Sequence, residues 1–445
     1  MRRFSILLLL PLLAWGQIGF SGEVAANRMW RLDGGAGIDL PFRLLDGSLS
    51  YGLGDLELRA SMEVESRWNP RPATAEEAPA FWQGDSGQLA VKLEEAYVTW
   101  YPRFGEVKLG NMIHAWGAAD ANNPTDNLSP YDFYYLFLTG TDRKNATLSA
   151  SVKSYLGDFI LEGVVLPQHA ANRIPYGEPV FPIALPQKPA EDDIAEIENE
   201  IELGVRAKVA MSIGDVSASY FRGHDRFSGL LAWQPSLAPR FKYGYRETSV
   251  LGMDAVFFPG NWTLRAEMGY FQTENPFDDA AWTVFETEAD YLQYVVQAEY
   301  LFANELQLMI QLLGSTITSI EGTTLLRPTP ENPVPQQVEL TEEAFQAGMG
   351  MPFGMLSDRA LIVSTLATLF DSSLELTGMA MFNLEETEDY HPIDSGLLLN
   401  LQAVYTIFSG FDVETRIIMI EGEGDHQFAQ MSDFSNVSLG LRFNF

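Results

Sequence analysis

Eight side chains between residues 114 and 132 set the chemistry open to this chain. His114, Trp116, Asp120, Asn122, Asn123, Asp126, Asn127 and Asp132 lie in the run L-G-N-M-I-H-A-W-G-A-A-D-A-N-N-P-T-D-N-L-S-P-Y-D, from Leu109 to Asp132, where Pro124 and Pro130 fix the path. Carboxylates and amides at this density suit a turn-rich loop whose Asx side chains bond their own backbone. Held in a narrow aqueous passage, the same groups would meet a hydrated solute and constrict its path. Two other readings use the same residues. The loop could be a rigid external cap, and Asp120, Asn122 and Asp126 are hard oxygen donors able to hold calcium, although their spacing follows no calcium-loop pattern.

Charged side chains recur elsewhere at a spacing of two. Glu57, Arg59, Glu63, Glu65 and Arg67 alternate with Leu56, Leu58, Ala60, Met62 and Val64, and Glu202, Arg206 and Lys208 alternate with Ile201, Leu203, Val205, Ala207 and Val209. Arg265, Glu267, Glu299, Glu414, Arg416 and Arg442 extend the set. One charged and one oily face fit neither a membrane helix nor a buried core strand. Pairing between neighbouring strands is the simplest role for these charges, and a transverse field across a pore is the sharper one.

The excess acid sits in loops, at Glu191-Asp192-Asp193, Glu196 to Glu202, Asp278-Asp279, Glu385 to Asp389 and Glu421 to Asp425. The formal charge of −32 becomes −34 once Arg2 and Arg3 are removed, which repels nucleic acid and draws cations. Catalysis finds no support. His114, His169, His224, His391 and His426 fall in or beside loops, His224 and His426 have Asp225 and Asp425 as chain neighbours, and no G-x-S-x-G or H-E-x-x-H occurs. Adjacent His and Asp read as surface neighbours, so neither an enzyme, a metal centre nor a cofactor is expected, apart from the loop calcium. With no Cys, disulfides and thiolate metal sites are excluded.

The run from Gly110 to Pro130, G-N-x-x-x-x-W-G-x-A-D-x-x-N-P-T-D-N-L-S-P, resembles a signature of large Gram-negative outer-membrane porin-like barrels of the alginate-export style. The resemblance implies a passive channel for small hydrophilic solutes whose loop at 116–144 folds inward and narrows the bore. That family commonly carries Arg where Asn111 stands and Arg or Gly near Ala118, so basic groups are missing here and the acidic balance points to a cation preference. The alternative is a surface barrel acting as adhesin or scaffold through its acidic external loops.

The elements that would hold these residues are strands. Asn436 to Phe445 alternates Val437, Leu439, Leu441, Phe443 and Phe445 with Asn436, Ser438, Gly440, Arg442 and Asn444, the lipid-out, water-in division of a barrel wall. Phe443 and Phe445 would serve the barrel-assembly machinery as a terminal signal. At the other end Arg2 and Arg3, the apolar run Ile6 to Leu13 and Ala14-Trp15-Gly16 read as an export signal, residues 1–16, with cleavage as late as Gly22 as a second choice. That run is too short to span a bilayer as a helix, whereas a membrane strand needs only about 9 to 11 residues.

Turn residues at 52–55, 102–105, 156–158, 214–215, 259–261, 303–304, 371–373 and 409–410 alternate with longer polar stretches at 69–88, 116–144, 167–198, 225–244, 276–287, 317–340, 385–394 and 422–432. Short turns on one side and long loops on the other predict an all-β, single antiparallel transmembrane barrel over 17–445 with about 18 strands, 16 or 20 being the neighbouring counts. Thr341 to Phe353 is the ambiguous stretch, either an extra strand or loop. Outer-membrane lipid, the assembly machinery and small solutes are the expected partners. The sequence leaves oligomeric state open.

Overall fold

The computed structural model describes residues 17–69, 82–83, 88–120, 122–138, 140–182, 188–236, 238–326, 335–384, 396–424 and 427–445. Residues 1–16, where the export signal is expected, most of the stretch at 69–88, all of 385–394, Ala121, His391 and His426 lie outside them. The described wall strands are β1 (Gln17–Arg31), β2 (Phe42–Leu53), β3 (Leu56–Ser66), β4 (Leu89–Trp100), β5 (Gly105–Met112) and β6 (Thr147–Leu156). They continue as β7 (Phe159–Leu166), β8 (Glu202–Met211), β9 (Gly214–His224), β10 (Glu247–Phe257), β11 (Trp262–Glu274) and β12 (Thr287–Leu301). The circuit is completed by β13 (Gln307–Leu326), β14 (Arg359–Leu369), β15 (Leu374–Asn383), β16 (Leu397–Phe408), β17 (Phe411–Glu421) and β18 (Asn436–Asn444).

Each strand pairs antiparallel with the next, and β18 closes on β1 in a register running from Glu23↔Asn444 to Arg31↔Asn436. Closure leaves no free edge and pairs the backbone groups that lipid could not satisfy. The wall is therefore a closed 18-strand barrel.

Alternation divides its two faces as the sequence predicts. Leu56, Leu58, Met62, Leu203, Val205, Leu439, Leu441 and Phe443 are exposed on the outside, whereas Glu63, Glu65, Glu202, Asn436 and Ser438 are buried within. Trp68, Trp100, Tyr101, Phe258, Trp262, Phe302 and Phe408 are exposed near strand ends, where amphipathic rings meet an interface.

Eight short links join the strands on one side, and the longer segments gather on the other. Three boundaries differ from expectation. The turn placed at Gly214-Asp215 falls at 212–213, since Gly214 already pairs with Met211. A long connection at 32–41, absent from the sequence reading, links β1 to β2. Strand β13 runs past residue 317 to Leu326, and Thr323–Leu326 pairs with Gln336–Glu339. Its polar, β-branched T-I-T-S-I-E-G-T-T extends the strand above the wall, so polarity there marked height rather than loop. Thr341 to Phe353 adds no wall strand. It carries short 3₁₀ turns and tucks Met349, Met351 and Phe353 inside, all at most 4% exposed.

The interior holds the largest departure. Toward the long-loop side, the inner face of β12 to β17 presents Val295, Leu313, Ala360, Ile362, Met381, Leu398, Ile418 and Ile420, and Phe133, Leu136, Phe181, Met351, Phe353, Leu356, Phe428, Met431 and Phe434 from the connections pack onto them. Each such fully buried side chain stabilises by about 1.5–3 kcal/mol. The expected charged inner wall thus belongs to the other strands and to the short-turn half. Where segments fold inward, strands are covered on both faces and read as continuous apolar runs such as L-L-L-N-L.

Candidate pore constriction

Residues 113–146 leave β5, cross the lumen and pack against the inner wall of β8 to β13. A row of small side chains makes room for them. Ser219, Gly252 and Gly269 sit opposite one another on β9, β10 and β11. A Cβ on Gly252 would lie 2.9 Å from the Thr125 methyl, one on Gly269 would lie 2.9 Å from the Pro124 carbonyl, and one on Gly204 of β8 would lie 2.8 Å from both Trp116 and Leu128.

Glu267 on β11 is the principal anchor. Its carboxylate accepts the backbone N–H groups of Ala118 and Ala119, the Asn123 amide at 3.2 Å and the Thr125 hydroxyl at 3.0 Å. Hydrogen bonds to a charged acceptor are the stronger kind, each contributing roughly 1.5–3 kcal/mol.

One row further toward the short turns, Arg265, Gln297 and Gln311 sit abreast on β11, β12 and β13. Gln297 accepts the Asp120 N–H at 3.1 Å and donates to its carboxylate at 2.7 Å, while Gln311 donates to the Asp120 carbonyl at 2.7 Å. Arg265 bridges Asp120 at 3.0 Å and Glu299 at 2.9 Å. Asn122 donates to Gln311 and accepts the Phe353 N–H, which locks the second inward segment to the first.

The eight candidates part company here. The Asp120 side chain is 59% exposed to the lumen, whereas His114, Trp116, Asn122, Asn123, Asp126, Asn127 and Asp132 are buried inside the segment's own packing. Asp126 accepts the Trp116 N–H and pairs with Lys144 at 2.6 Å, and Asn127 donates to the Pro124 carbonyl. Asp132 pairs with Arg173 at 2.8 Å. The hard donors Asp120, Asn122 and Asp126 thus face three different sets of partners. His114 bonds Ser149 at 2.8 Å, and burial, helped by Lys144, pushes its ring down to about 4. Burial also lowers the Lys144 ammonium, with Asp126 opposing it.

The predicted inward charges are mostly paired. Arg59 lies near Glu95, Glu63 meets Arg43 and Lys92, Arg67 meets Glu178, Arg206 meets Asp254, Lys208 meets Asp215 and Arg416 meets Glu414. Glu57 accepts the Tyr101 hydroxyl, and Arg442 meets Asp412 and Glu23.

Several organising residues carry no sequence signal of their own. Arg226 donates to the carbonyls of Asn127, Leu128 and Ala170 and pairs with Glu202 at 2.7 Å. Glu65 takes Lys92, Arg173 and the Tyr135 hydroxyl together. Asp225, expected on the surface, is fully buried against Arg246 and Thr248. Between these groups lies a cavity of about 860 Å³ lined by Lys92, Lys144, Asn172, Arg173, Arg226 and Tyr245, among others. Apart from Glu65 and Glu202, which the period of two marks as inward, these residues sit at a strand end or inside a connection, which periodicity does not reach.

No family model and no curated protein matches this sequence. Solved structures do. The outer membrane protein opdK from Pseudomonas aeruginosa superposes with a TM-score of 0.52 at 12% identity, covering 96% of this chain and 99% of that one. A BenF-like porin from Pseudomonas fluorescens Pf-5 gives 0.51 at 10% identity over 97% and 98%, and OccAB3 of Acinetobacter baumannii gives 0.51 at 9% over 97% and 99%. At such identities the likeness is one of fold, and the fold is that of outer-membrane porins.

Proposed function

We propose that the protein is a channel of the bacterial outer membrane through which small hydrophilic solutes diffuse, narrowed by residues 113–146. The observation that carries this reading is the anchoring of that segment on Glu267, Gln297 and Gln311, which leaves the Asp120 carboxylate and Arg265 beside the remaining bore. A charge pair at a narrowing sets a local field that selects among solutes. Apolar packing under β12 to β17 fills the opposite part of the outer lumen, which supports a narrow, selective passage over a wide one. The net charge of −32 supports a preference for cations. In this reading residues 1–16 direct export, the assembly machinery reads Phe443 and Phe445, and the protein transports without catalysing.

The test is the mature barrel reconstituted in planar bilayers under a salt gradient. Discrete conductance with a reversal potential favouring cations is expected, and deletion of Asp120 to Asn127 raises the conductance several-fold. Asp120→Lys shifts the permeability ratio toward anions. A folded barrel that stays silent with and without the deletion overturns the proposal.

A further inference from the structure

We propose that His169, Glu202 and His224 form a binding site for a transition-metal dication of the zinc class. Three elements converge on it: the connection at 167–201 brings His169, β8 opens on Glu202, and β9 ends on His224. All three side chains are at most 6% exposed, and one ligand atom from each falls within 4.8 Å of the others.

The Glu202 Oε1 atom lies 2.8 Å from His169 Nδ1 and 3.6 Å from His224 Nδ1. Those separations bracket the edge of roughly 3.3 Å that bonds of about 2.0–2.1 Å give in a tetrahedral site.

Two ring nitrogens at the cluster are buried without a hydrogen-bond partner, and a metal serves the first of them. Among the described residues, His224 Nδ1 and His169 Nε2 are buried and make no hydrogen bond. A buried polar atom left unpaired costs about 1–3 kcal/mol, so a native structure usually assigns it a partner. A metal held by Nδ1 of both rings takes the first, and the His169 proton then moves from Nδ1 to Nε2.

Arg226 holds the other carboxylate oxygen at 2.7 Å and also reaches Oε1 at 3.1 Å, and the His224 backbone N–H donates to Oε1 at 3.2 Å, so a metal on Oε1 shares that atom with these donors. Because Arg226 already neutralises Glu202, a metal gains little from charge alone. That selects an imidazole-seeking ion over calcium or magnesium, which need several oxygens. The adjoining cavity has Arg226 and Tyr245 in its lining, the latter packed on the His169 ring at 4.4 Å. Through Arg226 the site reaches the Asn127 and Leu128 carbonyls, so occupancy would stiffen the segment that crosses the lumen.

The experiment uses the full folded protein, stripped with chelator and titrated with Zn²⁺ by calorimetry and with Co²⁺ by visible absorption. One equivalent per chain and a tetrahedral Co²⁺ spectrum are expected, with no competition from excess Ca²⁺. His169→Gln and His224→Gln keep the packing and should each weaken binding at least tenfold. Absence of stoichiometric binding in the wild type, or wild-type affinity retained in either variant, overturns the proposal. Binding is read directly, so the result stands apart from whether the barrel conducts.

Discussion

Glu267 shows how one inward carboxylate can organise a passage. It holds four donors of the crossing segment and has no cationic partner among the described ion pairs. Glu267→Ala orphans these donors, and the expected outcome is a noisier, larger single-channel current with faster proteolysis between residues 113 and 146, in a barrel that still folds. His114 supplies a pH dependence. Its ring titrates at about 4 in place against an ordinary 6.5, so the released segment binds the proton more readily between those values. The packing contribution is complete above pH 6.5 and is lost as pH falls through about 4, a linkage on the order of 3 kcal/mol. Hydrogen exchange of the segment should accelerate across that window in the wild type and be flat in His114→Gln.

The crossing segment and its wall were shaped together. Gly204, Gly252 and Gly269 would be poor strand residues in isolation, because they add no side chain to the wall and lose the most backbone entropy. Their absence of Cβ is what allows Trp116, Leu128, Pro124 and Thr125 to lie against the strands. Gly204→Val should leave the 18-strand barrel intact and displace this segment, read as loss of protection at Trp116 to Leu128 and a rise in conductance. Unchanged protection would show that the segment's own bonds, such as Asp126 to Lys144, suffice to hold it. The alternation of Leu56 to Arg67 makes β3 readable at once, whereas β14 to β16 carry little of it, since lipid covers one face and inward segments the other.

For the molecule as a whole, closure constrains the amino-terminus. Gln17 to Gly22 pair with β2 from Gly52 to Gly47. Cleavage after Gly22 would strip those pairs from the seam strand, so mass spectrometry of the exported protein should find Gln17 as its first residue. A first residue at Glu23 would mean that β1 begins six pairs shorter, without the register from Gln17↔Gly52 to Gly22↔Gly47. The alginate-export resemblance rests on the run from Gly110 to Pro130, with only the barrel pattern and the aromatic terminus extending it, and the superposed structures support the fold rather than a solute.

The sequence by itself determined the barrel: a strand number near 18, the sidedness of turns and loops, the terminal strand and the alternation of charged with apolar residues all follow from a period of two and from residues that tolerate tight turns. Its dense Asx residues and prolines also mark 116–144 as an ordered loop. Only the tertiary structure decided which of that segment's polar groups face water. Asp120 does, and Asn122, Asp126 and Asp132 do not, because burial depends on partners such as Gln311, Lys144 and Arg173 that lie far along the chain. The same is true of the His169, Glu202 and His224 cluster and of the apolar packing under β12 to β17: each joins elements whose contact is fixed by barrel closure, which no local pattern encodes.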